Sequence, residues 1–375
     1  MVQRKKLMTK DLAVVFGTFA PMHIGHLSMI LRAKKKHDGV VVVTSGYDGD
    51  RGEDVDLPLH KRFRYVRELF TDDDFVNVGK LDETKMPRYP DGWQPWLAEL
   101  TNVIQEAISY DVSEANITIY CGESEYKDTI NKLQPEWSVE LIDRTKIVDV
   151  SATAIRNNPV QYFKYITRPF KKHFTKKVLL AGPASTGKTT LATDLGKLFN
   201  APVSLEYARE YQDKYNVADD ELDIKDYMYL LTGQYEQTSN LIDGNSNNGL
   251  IIADTNSIVT VAYIDYYLKD MISTKDYEML HKMYLQILHK ERWDLILVTT
   301  PNADYIDDGF RDMTMQDEDI RQPLTEHLLK LFKEAGLQDK VRLLDHGSDK
   351  EMYLYNLEES IRLIEDEIGM KLGTL

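Results

Sequence analysis

Short, uninterrupted apolar runs recur along this chain between stretches of helical periodicity. They occupy residues 12–16 (LAVVF), 39–45 (GVVVVTS), 116–122 (NITIYCG), 178–182 (VLLAG), 250–255 (LIIADT) and 294–300 (DLILVTT). Each has the length and β-branched content of a strand covered on both faces, and the segments between them repeat with a 3.6-residue period, which predicts α/β architecture with parallel sheets. After the second run, Leu59, Phe63, Val66 and Phe70 fall on one side of a helix with Lys61, Arg62, Arg64 and Arg67 interleaved. That basic set reads either as a solvated face or as phosphate contacts. Residues 157–177 (NNPVQYFKYITRPFKKHFTKK) turn aromatic and basic and lose the strand pattern. The domain boundary is placed there, near Phe170 with Pro169 as a break, giving domains 1–170 and 171–375. The acidic, tyrosine-rich stretch 213–244 reads as a packed helix, its tyrosines core or half-buried.

A length of 375 residues suits two cores better than one. Composition narrows the partners. With 46 basic and 61 acidic side chains the formal charge is -15, which opposes adsorption to nucleic acid or to an anionic membrane surface. The single cysteine, Cys121, excludes an internal disulfide framework and reads as a buried small side chain. The basic opening MVQRKKLMTK lacks the apolar run and cleavage pattern of a secretory signal, and no window has the apolar length of a membrane span, so a cytoplasmic protein is expected.

Directly behind the first apolar run stands GTFAPMHIGH. Gly17 permits close backbone approach, Pro21 and Gly25 shape the turn, and His23 and His26 lie one helical turn apart on one face of a helix start. Two imidazoles with the unsatisfied N–H groups of a helix start suit a polyphosphate, whereas a metal would need a third ligand that the neighbourhood does not offer. The stretch resembles the GxFxPxHxGH signature of the nucleotidyltransferase superfamily. The second signature of that superfamily, ISxTxIR, is matched by Val150-Ser151-Ala152-Thr153-Ala154-Ile155-Arg156, with an apolar exchange at the first position only. Two signatures about 130 residues apart, bracketing a Rossmann-like strand pattern, are more specific than either alone. The resemblance implies an ATP site in which Gly17, Thr18 and Phe19 line the phosphates. Ser151 and Thr153 would cap a helix facing the β- and γ-phosphates, with Arg156 as a fixed charge. An acceptor phosphate would attack the α-phosphorus in line while His23 and His26 stabilise the charge from the α-phosphate side, with Mg²⁺ on the triphosphate.

Between the signatures, residues 86–100 (MPRYPDGWQPWLAEL) read as a proline- and glycine-shaped loop carrying Trp93 and Trp96. The indoles either stack on a flat, electron-poor ring such as nicotinamide or pack the loop down. YPDGWQPW is similar to the corresponding loop of the bifunctional NadR-type family, in which an NMN adenylyltransferase is fused to a ribosylnicotinamide kinase. That similarity points to nicotinamide mononucleotide (NMN), with Trp93 as the stacking partner.

A second phosphate loop follows the fourth run. Gly182-Pro183-Ala184-Ser185-Thr186-Gly187-Lys188-Thr189 fits GxxxxGK[ST], follows a strand and opens a helix. Backbone N–H groups of Gly182, Ser185, Thr186 and Gly187, with Thr190 at the helix start, would cradle phosphates, Lys188 would reach the β- and γ-oxygens, and the Thr189 hydroxyl would ligate Mg²⁺. Asp254 closes the fifth run at the carboxyl end of its strand. It reads as a Mg²⁺ holder through water, a proton acceptor, a ribose ligand or a plain surface aspartate. In PNADYIDDGFRDM, residues 301–313, Asp307, Asp308 and Arg311 mark either a solvated charge run or the lid of a small P-loop kinase, whose arginine would neutralise the transferring phosphoryl group.

This half also resembles the kinase part of the NadR-type family, through the phosphate loop, EYAREY at 206–211, DTN at 254–256 and DDGFRD at 307–312. Relatives often carry DTD in place of DTN, so a second carboxylate at Asn256 is missing. Some eleven residues precede the first run, too few for the helix-turn-helix domain that some relatives carry. The resemblance implies a Rossmann-like nucleotidyltransferase domain followed by a P-loop kinase domain. The substrates would be ATP, nicotinamide riboside and NMN and the product NAD, with no nucleic acid or membrane partner and with homo-oligomerisation left open. Two other readings stand beside it: an NAD- or ATP-sensing regulator with little turnover, and the same chemistry on another small acceptor.

Overall fold

The structure, a computed structural model, describes residues 5–88, 91–142, 148–301, 305, 307, 309–344 and 352–372. The chain divides into two units, Met1–Phe174 and Thr175–Leu375. Phe170 lies within the last helix of the first unit, fully buried in its core.

The first unit runs β1 (Asp11–Gly17), α1 (Ile24–Lys36), β2 (Gly39–Gly46), α2 (Leu59–Leu69), β3 (Val76–Asp82), α3 (Trp93–Ala107), β4 (Asn116–Cys121), α4 (Ser124–Leu133), β5 (Ser138–Leu141), α5 (Ala152–Asn157) and α6 (Arg168–Phe174). Its strands form one parallel sheet in the order β3-β2-β1-β4-β5. Side chains alternate across the sheet, so each continuous apolar run feeds two cores. Ala13, Val15, Val40 and Val42 pack with residues of α1, α2 and α6, while Leu12, Val14, Val41 and Val43 pack with residues of α3. The chain reverses its direction of strand addition between β1 and β4, which opens a crevice at their carboxyl ends.

The second unit runs β6 (Lys176–Ala181), α7 (Lys188–Leu198), β7 (Val203–Ser204), α8 (Tyr207–Tyr215), α9 (Ile224–Asp243), β8 (Leu250–Asp254), α10 (Ser257–Tyr267), α11 (Thr274–Glu291), β9 (Leu295–Thr299), α12 (Glu318–Glu334), β10 (Val341–Leu344) and α13 (Met352–Leu363). Its parallel sheet has the order β10-β9-β6-β8-β7, with the reversal between β6 and β9. Leu179, Ala181, Ala253, Ile296 and Val298 pack against α9 to α12, and Tyr227 is buried among them, whereas Tyr215 and Tyr229 of the same acidic stretch are exposed.

Arg62 of α2 answers to neither reading of the basic helix. It is fully buried and forms a bidentate ion pair with the equally buried Asp50, at 2.7 and 2.6 Å. Burial pushes the Asp50 carboxyl up, but Arg62 and the Gly52 and Tyr47 amides more than reverse this and hold it below the usual carboxylate range. Removing one partner strands the other charge in the core. Arg62→Ala should therefore destabilise the first unit by about 3–5 kcal/mol in chemical denaturation, and a loss below about 1 kcal/mol would place the pair in solvent instead. Since the folded Asp50 binds its proton more weakly than the unfolded one, this stabilisation is present above pH 3.8 and fades as the pH falls through the folded value.

Candidate functional sites

In the first unit both signatures converge on the crevice at the carboxyl ends of β1 and β4. A cavity of about 980 Å³ is lined by Gly17, Thr18, Phe19, His23 and His26 from one signature and by Ser151, Thr153 and Arg156 from the other. His23 is the N-cap of α1: its Nδ1 accepts from the Gly25 N–H at 3.1 Å, while Nδ1 of His26 accepts from the His23 N–H at 3.4 Å. This reciprocal cap, made here by two imidazoles, consumes N–H groups that the sequence offered to phosphate. It compensates by fixing the tautomer: with both Nδ1 atoms accepting, a neutral ring carries its proton on Nε2. The rings lie 3.9 Å apart at 36°, and Phe19 meets His26 edge-on at 5.2 Å.

Ser151 caps α5, accepting from the Ala154 N–H at 3.0 Å. Thr153 lies inside that helix and accepts from Arg156 Nη2 at 3.0 Å, while Nη1 of Arg156 donates to the Ala20 carbonyl at 2.7 Å. The second signature is thereby tied to the first. Burial, with Arg51 close by, pushes the Arg156 pKa down.

At the other end of the cavity the expected loop is helical. Trp93 opens α3, behind a Gly92 at which a side chain would collide with the Pro87 carbonyl. Pro95 falls in the first turn, where its missing N–H costs no helical bond. Trp96 is buried and packs on Phe16, whereas Trp93 is half-buried, edge-on to Trp96 at 5.9 Å and to Tyr126 at 5.1 Å. Both indoles line the cavity, so packing and exposure to a ligand coexist. Sequence reasoning missed Arg51, which donates to the Thr18 hydroxyl at 2.9 Å, and Glu83 and Tyr126, which line the wall beside the indoles. Cys121, at the end of β4, is buried on that wall. No periodicity marks these residues, because Arg51 and Glu83 come from loops, Tyr126 from a short helix and Cys121 from the last position of a strand.

In the second unit the phosphate loop joins β6 to α7 at the reversal between β6 and β9. Gly182 has φ +139°, and any side chain would strike Thr299 at the end of β9. Ser185 and Gly187 also take positive φ, and Thr186 meets the Thr299 hydroxyl at 2.6 Å. The Lys188 ammonium is buried and donates to the Pro183 carbonyl at 2.8 Å, while Thr190 is exposed at the helix start. Burial lowers the Lys188 pKa, and Asp254 opposes this.

Asp254 is no surface aspartate: it is fully buried at the end of β8, and Oδ2 accepts from the Thr189 hydroxyl. Its other oxygen, Oδ1, has no hydrogen-bond partner among the described residues. Burial pushes the carboxyl up to about 6, against the pull of Lys188. A hard cation takes oxygen ligands, and the Thr189 hydroxyl beside a carboxylate oxygen left over is a fitting partial set for Mg²⁺. Among the described residues no group of three or more His, Cys, Asp or Glu could hold a metal alone, so the remaining ligands would be phosphate oxygens and water.

Asn256 does structural work. Its Oδ1 caps α10 by accepting from the Val259 N–H at 3.2 Å, and its Nδ2 donates to the buried Glu291 at 2.9 Å, where a carboxylate would meet a second carboxylate. Arg311 Nη1 donates to the Ser185 hydroxyl at 2.7 Å, so this arginine reaches the phosphate loop. Asp307 is described, whereas Asp308 lies outside the described residues. A second cavity of about 590 Å³ adjoins the loop, lined by Thr189 together with Glu206 and Arg209 of the EYAREY stretch and Gln237 of α9.

Residues 14–168 match the cytidylyltransferase-like family and residues 177–342 match an AAA domain. The trifunctional NAD biosynthesis/regulator proteins NadR of Salmonella typhimurium and Escherichia coli are each 26% identical over 339 residues, 88% of this chain and 78% of theirs. Two solved NadR structures superpose closely. One, in complex with NR, has a TM-score of 0.88 at 39% identity, and the other, in complex with NAD and AMP-PNP, has 0.86 at 38%. Each match covers 99% of this chain and 100% of the NadR chain, so this protein belongs to the NadR family.

Proposed function

We infer that this chain is a bifunctional enzyme of NAD salvage. The second unit phosphorylates nicotinamide riboside and the first adenylylates the resulting NMN. The observation that supports the reading is that each sheet carries its own phosphate-binding motif at its reversal point. A sensing module needs no such duplication, and two successive reactions on ATP do.

In the kinase reaction the 5′-hydroxyl oxygen of the riboside attacks the γ-phosphorus of ATP, ADP leaves, and the hydroxyl proton is released to water. Lys188 exchanges the Pro183 carbonyl for β- and γ-oxygens, and Arg311, already at Ser185, offsets charge on the phosphoryl group in flight. Thr189 and Asp254 would hold Mg²⁺, which when bound supplies charge neutralisation on the phosphates. In the transferase reaction a phosphate oxygen of NMN attacks the α-phosphorus of a second ATP, and pyrophosphate leaves. Gly17, Thr18 and Phe19 wall the phosphate end of that cavity. The Nε2–H groups of His23 and His26 donate to oxygens at the reacting phosphorus, while Ser151, Thr153 and Arg156 take the leaving pyrophosphate. Trp93 stacks on the nicotinamide ring, and Trp96 holds Trp93 in place. We place these reactions in the cytoplasm; no helix among the described residues is long and apolar enough to cross a membrane.

The direct experiment is incubation with nicotinamide riboside, ATP and Mg²⁺ followed by product identification. NMN and then NAD are expected, and NMN as the final product would refute the assignment of the first unit. The ring site has its own test. Trp93→Ala removes a platform for one ligand only, so titration should show NMN binding weakened by about 0.5–1.5 kcal/mol with ATP binding unchanged. Equal losses for both would assign Trp93 to packing.

A further inference from the structure

Arg311 is bracketed by one residue that neither phosphate motif contains. The backbone N–H of Asp219 donates to the carbonyl of Phe310 at 3.0 Å, and the N–H of Asp312 donates back to Asp219 Oδ2 at 3.2 Å. The residues immediately before and after Arg311 are thus pinned to the same aspartate. Between the two pins, the Arg311 guanidinium reaches Ser185 of the phosphate loop.

The aspartate is itself held. The fully buried Gln212 of α8 donates to Asp219 Oδ1 at 2.8 Å, and Arg209 of the same helix donates to Gln212 Oε1 at 3.1 Å. On the far side Asp312 is braced by two tyrosines, Tyr267 donating to its carboxylate and Tyr305 to its carbonyl, each at 3.1 Å. Burial pushes the Asp219 carboxyl up, which Arg209, Gln212 and the Asp312 N–H oppose, so each of these contacts favours the charged form that accepts them. A loop can present a long side chain at one geometry only if its backbone is fixed on both sides of that residue, because a misplacement of about 1 Å costs much of the catalytic benefit.

We propose that Asp219 is a positioning residue for the kinase reaction, fixing the backbone on either side of Arg311 so that its guanidinium stands over the phosphate loop. The proposal rests on the reading that Arg311 serves phosphoryl transfer, and the experiment separates the two. Kinase kcat and KM are measured for Asp219→Ala, Arg311→Ala and the double variant. Arg311→Ala is expected to lower kcat by about 10²–10³-fold with little change in KM for the riboside, as for other groups that act on developing charge. Asp219→Ala is expected to lower kcat at least about tenfold, again with KM little changed, and the double variant should be no slower than Arg311→Ala alone. A residue with a merely structural role would add its loss to that of Arg311.

Hydrogen exchange in residues 309–316 should accelerate in Asp219→Ala and not in Arg311→Ala. If Asp219→Ala fails to fold, Asp219→Asn, which keeps one oxygen for the two donors, should give a smaller kcat loss of the same non-additive kind. Undiminished kcat in the folded Asp219 variants beside a slow Arg311→Ala overturns the proposal alone, as do losses that multiply. Undiminished kcat in Arg311→Ala overturns the reading beneath it as well.

Discussion

Lys188→Ala is expected to abolish phosphorylation of nicotinamide riboside and to leave conversion of supplied NMN to NAD near its unaltered rate. The lysine is buried at the start of α7, and its ammonium hydrogen-bonds to the loop's own Pro183 carbonyl, a weak partner that phosphate oxygens displace. In the proposed mechanism its charge acts where negative charge sits in the ground state and grows in flight, from a buried position. Loss of one such preorganised group costs about 10²–10³ in kcat, and a full charge at the β/γ-bridge stands at the upper end. Lys188→Met keeps the volume and should lose activity to the same extent, which assigns the loss to charge rather than packing. The check is steady-state assay of each reaction with its own substrate.

The reverse pattern is expected of His26. In the proposed mechanism the side chain has two tasks, since its Nδ1 caps the His23 N–H while its Nε2 would serve the phosphates. Alanine removes both, so its effect mixes the lost cap with the lost catalysis. Asparagine separates them: its side-chain oxygen stands close to the position of Nδ1 and continues to accept from His23, while nothing occupies the place of Nε2. His26→Asn should therefore melt near the unaltered protein yet adenylylate NMN about 10²–10³-fold more slowly, with riboside phosphorylation untouched. A transferase rate that survives in His26→Asn would reduce the histidine to a cap.

How much of this was legible in the sequence follows from where each residue sits. The six apolar runs became β1, β2, β4, β6, β8 and β9, the three central strands of each sheet. The four strands without such a run, β3, β5, β7 and β10, are the four edges. An edge strand has a neighbour on one side only and is short or partly exposed, as in Ser138–Leu141, so it needs no continuous apolar stretch to be stable there. Both phosphate motifs were legible because a phosphate dictates backbone shape locally, through glycines and helix starts at fixed spacing. Arg62 was not: a basic residue on a helix looks the same whether it faces water or a buried aspartate twelve residues earlier. Asp219 was hidden for a related reason, lying in an acidic stretch most of whose carboxylates are exposed, while Asp312, which donates to it, lies 93 residues onward in the chain.

The fate of Asn256 shows the limit of motif reading in the other direction. As a departure from DTD it suggests a catalytic deficit, yet its side chain caps α10 and satisfies Glu291, and the carboxylate beside the phosphate loop is that of Asp254. The positions differ in consequence because Asp254 ends its strand next to Thr189, while Asn256 turns the chain into a helix.

The central claim, that two independent sites act in succession, is tested most directly by mixing the two disabled proteins. Folded Lys188→Ala and His26→Asn are each incubated with nicotinamide riboside, ATP and Mg²⁺, separately and together, and the products are quantified over time. Lys188→Ala alone should leave the riboside unchanged, His26→Asn alone should accumulate NMN, and the mixture should form NAD through free NMN. If either folded variant fails in both reactions, or if the mixture makes no NAD, the two phosphate sites are not separate enzymes and the account is wrong.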